Sequence, residues 1–87
     1  MTCEHVAALP EADVAAITPN GCQECLALGE TIWVHLRICL ACGHIGCCDS
    51  SPHKHATAHY RAVDHPVMRS YEPGETWRWC YVDQLVV

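Results

Sequence analysis

Residues 39–65 run Cys39-Leu40-Ala41-Cys42-Gly43-His44-Ile45-Gly46-Cys47-Cys48-Asp49-Ser50-Ser51-Pro52-His53-Lys54-His55-Ala56-Thr57-Ala58-His59-Tyr60-Arg61-Ala62-Val63-Asp64-His65, and this stretch decides the fold. The two-residue gap between Cys39 and Cys42 suits a tight knuckle that presents both thiolates to one ion. The glycines that follow permit the sharp backbone such a knuckle needs. Ser51-Pro52 then reads as a helix start, serine as N-cap and proline at the first helical position, and the helix runs to about Ala62. It places His55 and His59 four residues apart on one face. The pair could chelate one ion, as in helical HxxxH motifs, or diverge to serve two ions in a cross-brace. Spacing leaves both arrangements open.

Upstream, an Asn20-Gly21 turn delivers a second knuckle, Cys22-x2-Cys25. Each knuckle supplies half of a tetrahedral zinc site, and Cys47, His55, His59 and His65 are the candidates for the other halves. A single CxxC would also fit a thioredoxin-like redox motif, but two pairs followed by a Cys and spaced histidines form a metal signature. His35, His44 and His53 read as surface or supporting groups, and Cys48 as a small buried residue beside a ligand.

The remaining chain is read from its periodicity. Thr31 to Ile38 alternates, with Ile32, Val34, Leu36 and Ile38 on one face, which predicts a strand. Pro66 to Ser70 and Thr76 to Val82 are two further strands, joined by a Glu72-Pro73-Gly74-Glu75 turn, and Leu85 to Val87 is a last one. Trp77, Trp79 and Tyr81 share one side of their strand, with Trp77 read as a packing residue. Residues 6–19, broken by Pro10 and Pro19, read as an irregular arm. The expected fold is α+β: a single small zinc-stabilised domain over residues 1–87, with a short antiparallel sheet and one main helix.

Bulk properties agree with a metal-held domain. At 87 residues the apolar core is marginal and needs a staple. Eight cysteines could pair as disulfides only in an oxidising compartment, and the N-terminus carries no export signal. A cytoplasmic location with free thiols is therefore expected. No stretch approaches the roughly 20 apolar residues of a membrane span. Net charge is −5 and the five basic residues are scattered, which lacks the cationic footprint of a nucleic-acid binder.

The residues quoted above, together with Cys3-x-His5, Trp33, His55-Ala-x2-His59-Tyr60-Arg61, His65-Pro66 and Trp79-Cys80-Tyr81, resemble the ubiquitin-protease-type zinc finger. The chain also resembles the family's free-standing bacterial members. The resemblance implies two ligand sets, Cys22, Cys25, Cys47 and His55 for one zinc ion and Cys39, Cys42, His59 and His65 for a second. Members with three ions use an N-terminal Cys-x-His and a C-terminal CxxC. Here Cys3, His5 and Cys80 match, and Asp83, an acceptable zinc ligand, stands at the fourth position.

The resemblance also implies a function. Ubiquitin-binding members take the free ubiquitin C-terminus in an aromatic-lined pocket, whose positions match Trp33, Trp79 and Tyr81. The arginine that contacts the peptide there, two residues after the later zinc Cys, is replaced by Asp49. A carboxylate beside an incoming carboxylate opposes binding, so ubiquitin is not the expected ligand unless Arg37 or Arg78 substitutes. The expectation is a non-catalytic zinc module that recognises a peptide or protein partner. Closed four-ligand sites and the lack of an HExxH motif leave no catalytic residue to name. Zinc buffering or thiol redox chemistry is the alternative that eight cysteines support.

Overall fold

The computed structural model describes residues 4–7, 9 and 14–87. The elements in chain order are α1 (Glu4–Ala7), α2 (Gln23–Ala27), β1 (Leu36–Cys39), β2 (Ile45–Cys47), α3 (His55–Val63), β3 (Val67–Ser70), β4 (Arg78–Cys80) and β5 (Leu85–Val86). The strands form one sheet in the order β2-β1-β3-β4-β5, antiparallel at every pairing. The architecture is the α+β fold that the sequence implies.

Register decides what each face carries. Arg37 lies opposite Gly46 and Ser70, Cys39 opposite Met68, and Met68 opposite Trp79. Side chains alternate along a strand, so Gly46, Arg37, Met68 and Trp79 point to one face. Helix α3 sits on the β2 end of that face. A Cβ at Gly46 would lie 2.6 Å from the Ala56 nitrogen, so only glycine lets helix and strand meet at backbone distance.

Three local expectations change. The alternating run from Thr31 becomes a strand only at Leu36, and Ile32 and Val34 are exposed. Side chains take its backbone donors: Val34 N–H donates to Ser51 Oγ (2.8 Å) and Leu36 N–H to Glu72 Oε1 (2.8 Å). With its hydroxyl turned to Val34, the buried Ser51 does not cap the helix, which begins at His55 behind a left-handed Lys54. The last described strands are shorter than their alternation suggests, β4 spanning only Arg78–Cys80. The arm expected over residues 6–19 falls partly outside the described residues. Within them, Ile17 N–H donates to the Gly43 carbonyl (3.0 Å), tying the segment to the second knuckle.

Among the described residues, ten hydrophobic side chains are buried, and six of them are cysteines. Only Ile38, Ile45, Ala56 and Val67 are conventional core residues. At about 1.5–3 kcal/mol for each large aliphatic group, so small a set does not offset the ordering entropy of the chain. The thiols must be held by something other than apolar packing.

Candidate metal centres and the adjoining cavity

Among the described residues, three groups of metal-ligating side chains are assembled, each with its ligand atoms within 4.8 Å of one another. The first joins Cys22, Cys25, Cys47 and His55. Cys22 precedes α2 and Cys25 lies within it, so a short helix forms the knuckle that the Asn20-Gly21 turn delivers. Cys47 ends β2, and His55 opens α3. His55 Nδ1 lies 3.2 Å from Cys22 Sγ, 3.3 Å from Cys25 Sγ and 3.5 Å from Cys47 Sγ, with 4.0 Å between the last two sulfurs. The His55 backbone N–H donates to Cys47 Sγ (3.2 Å), so the helix begins on a ligand sulfur.

The second group joins Cys39, Cys42, His59 and His65. Cys42 Sγ lies 3.4 Å from His59 Nε2, and Cys39 Sγ 3.6 Å from His65 Nδ1. His55 and His59 thus diverge into different groups, the cross-braced alternative. The third group holds His5, Cys80 and Asp83, with His5 Nδ1 3.4 Å from both Cys80 Sγ and Asp83 Oδ2. Cys3, the remaining residue expected there, lies outside the described residues.

These separations fit zinc. A tetrahedral shell with Zn–S of about 2.3 Å and Zn–N of about 2.0 Å has S···N edges of about 3.5 Å and S···S edges of about 3.8 Å. The electrostatics point the same way. Burial, followed by the neighbouring Cys22 and Cys47 thiols, pushes the Cys25 thiol up to about 12. Burial also raises Cys39 and Cys47. Burial, with the nearby His44 and His65, keeps the His59 imidazole neutral by lowering its value. Crowded thiols that cannot ionise beside one another call for a cation, and each of these clusters could hold a zinc ion. A closed set of protein ligands gives such an ion a structural role.

Two glutamates back the helix histidines, a feature without periodic signal in the sequence. His44 is buried, pairs through Nε2 with Glu24 of α2, and stacks on His59 with centroids 3.9 Å apart. His53 pairs with Glu30 and stacks on His55 at 5.1 Å.

Beside α3, on the face set by the register, lies an open cavity of about 280 Å³. Arg37, Cys48, Met68, Trp77, Trp79 and Tyr81 wall it, with His35, Asp49 and Ser50. Trp79 and Tyr81 stand where the sequence reading expects them, but Trp33 does not. It packs against Cys22, Cys25 and Cys47, shielding the first group, because the chain from Thr31 to His35 is not part of the sheet. Trp77, expected as a packing residue, is exposed and lines the cavity instead. The Arg37 guanidinium lies 4.6 Å over the Trp77 ring, and no carboxylate among the described residues is within ion-pair distance of it. Asp49 is exposed, and its Oδ1 accepts from Thr57 Oγ1 of α3 (2.6 Å). Cys48 is pushed up by burial, but hydrogen bonds at Ser51, Ser50 and His35 and the Arg37 charge outweigh this and lower its thiol.

Comparisons with known proteins accord with this geometry. The chain superposes on the solution NMR structure of protein RPA1320 from Rhodopseudomonas palustris with a TM-score of 0.87 and 53% identity, over 99% of this chain and 80% of that one. A search of curated proteins matches nothing. The family model described as "Zn-finger in ubiquitin-hydrolases and other protein" matches residues 22–87. The chain belongs to this zf-UBP zinc-finger family.

Proposed function

We propose that this chain is a non-catalytic, zinc-held recognition module that takes a peptide or protein partner in the cavity beside α3. Zinc supplies structure at the two four-ligand groups, and the third group adds an ion with Cys3, His5, Cys80 and Asp83 as ligands. A cytoplasmic setting suits thiolate ligands, which need a reducing compartment. Neither nucleic acid nor a membrane is the partner. Among the described residues no helix is long and apolar enough to cross a membrane.

The observation that carries the reading is the cavity wall itself. Trp77, Trp79 and Tyr81 give rigid apolar contact area, and Arg37 brings guanidinium donors that no carboxylate in the described chain occupies. Aromatic and arginine side chains are the residues that dominate binding hot spots. Asp49 stands where the family's peptide-contacting arginine would be, so ubiquitin's tail is not the favoured ligand. Calorimetric titration against peptides with free and amidated C-termini, including Arg-Gly-Gly tails, tests the proposal. Saturable heat that Trp79→Ala abolishes is expected. No saturable heat from any peptide would sink it.

A further inference from the structure

The two helix histidines are each supported by a second histidine and a glutamate, yet the two supports differ in what they connect. Glu30, His53 and His55 all serve the first group, since Glu30 follows α2 and His55 is a member of that group. Glu24, His44 and His59 cross from one group to the other. Glu24 lies between Cys22 and Cys25 of the first group, while His59 belongs to the second. Between them, the buried His44 ring lies parallel to His59 within 2° and hydrogen-bonds Glu24. The second Glu24 oxygen, Oε2, is buried with no hydrogen-bond partner. The carboxylate's hydrogen bonding is therefore committed to this bridge.

We infer that the Glu24–His44 pair couples the two metal sites, so that loading one ion favours loading the other. Closing the first knuckle on its ion fixes α2 and hence the Glu24 carboxylate. The fixed carboxylate orients His44, whose ring holds His59 in the position from which Nε2 reaches Cys42. Supporting residues of this kind set the orientation of a ligand ring before the ion arrives. The reverse follows by linkage: an ion at the second site holds His59, then His44, then Glu24. Glu24 and His44 are positioning residues, and neither is a ligand.

Native mass spectrometry of the metal-free chain carrying Asp83→Ala, which leaves two sites to count, tests the coupling. At half-saturating zinc, equal and independent sites leave about half of the molecules with one ion, and unequal sites leave more; about tenfold coupling lowers this to about a quarter. The expected result is a one-ion fraction of a quarter or less, rising to half or more in Glu24→Ala and in His44→Phe. His44→Phe keeps the stacked ring and loses the hydrogen bond. Glu24→Gln, whose amide oxygen still accepts from the imidazole, restores the low fraction. Glu30→Ala leaves it low, because that support stays within one site. A one-ion fraction of half or more without these substitutions overturns the inference. So does a low fraction that Glu24→Ala leaves unchanged, or a rise in Glu30→Ala equal to that in Glu24→Ala.

Discussion

The guanidinium of Arg37 lies over the Trp77 ring at 4.6 Å, so a strand β1 cation is held by an aromatic group that precedes β4. The contact spans β3 and closes one wall of the cavity. A cation–π pair at a partly exposed site contributes about 0.5–1 kcal/mol. Trp77→Ala should therefore lower the melting temperature of the zinc-loaded chain by only about 4–8 °C or less. Calorimetry checks this, and a larger drop would make Trp77 a core residue.

Gly46 is the point at which helix and sheet touch. An alanine there must push α3 away from β2, since the new Cβ would meet Ala56 backbone atoms at 2.6–2.7 Å. Helix displacement carries His55 away from Cys47. Gly46→Ala should cost about 1–3 kcal/mol and weaken zinc at the first group before the second. Gly74→Ala meets no atom within 4 Å but strains the backbone at φ +81°, so it should cost stability without weakening the first group ahead of the second in competition titrations with a chelator.

Zinc uptake should be strongly pH-dependent. The two four-ligand groups contain five cysteines. Burial raises Cys25, Cys39 and Cys47, so these thiols keep their protons at neutral pH until an ion displaces them. Affinity must then fall as pH falls, because protons compete with the ion for each sulfur. Calorimetry of the Asp83→Ala chain in buffers of different ionisation enthalpy should show at least three protons released as the two four-ligand groups fill near pH 7. Release of one or none would mean that the thiols are already ionised.

The second group should lose its ion first. Cys42 is the most exposed described cysteine, whereas Cys22, Cys25 and Cys47 are fully buried. Under a mild chelator and an alkylating reagent, mass mapping should find Cys42 modified before any first-group cysteine. Early modification of Cys22 or Cys25 would contradict this order.

Asp83 should decide the third ion. Its carboxylate lies 3.4 Å from His5 Nδ1, and its backbone N–H donates to Cys80 Sγ at 3.4 Å. Native mass spectrometry should count three ions in the unaltered chain and two after Asp83→Ala. Two ions in both would leave His5 and Cys80 as packed residues.

Much of the metal chemistry was legible because ligand spacing is local. A CxxC knuckle is defined by four consecutive residues, and an HxxxH pair by one turn of helix, so residue order alone exposes them. The same order could not say whether His55 and His59 share an ion. That depended on where β2 and α2 lie around α3, which Gly46 and the sheet register set through contacts distant in sequence. Alternation misled at Ile32 and Val34, because acceptors far along the chain, Ser51 Oγ for Val34 N–H and Glu72 Oε1 for Leu36 N–H, took the place of the ladder that a longer strand would need. Trp33 and Trp77 exchanged their expected places for the same reason.

By itself, then, the sequence determined that this is a small α+β domain with the residues to hold zinc, since ligand type and short spacing are properties of the chain. Tertiary structure decided where each helix histidine meets its knuckle, that Arg37 joins an aromatic wall which Asp49 also lines, and that Glu24 and His44 bridge two ligand groups. Those relationships depend on strand register and on backbone contact at a single glycine, and neither is encoded in any local stretch of residues.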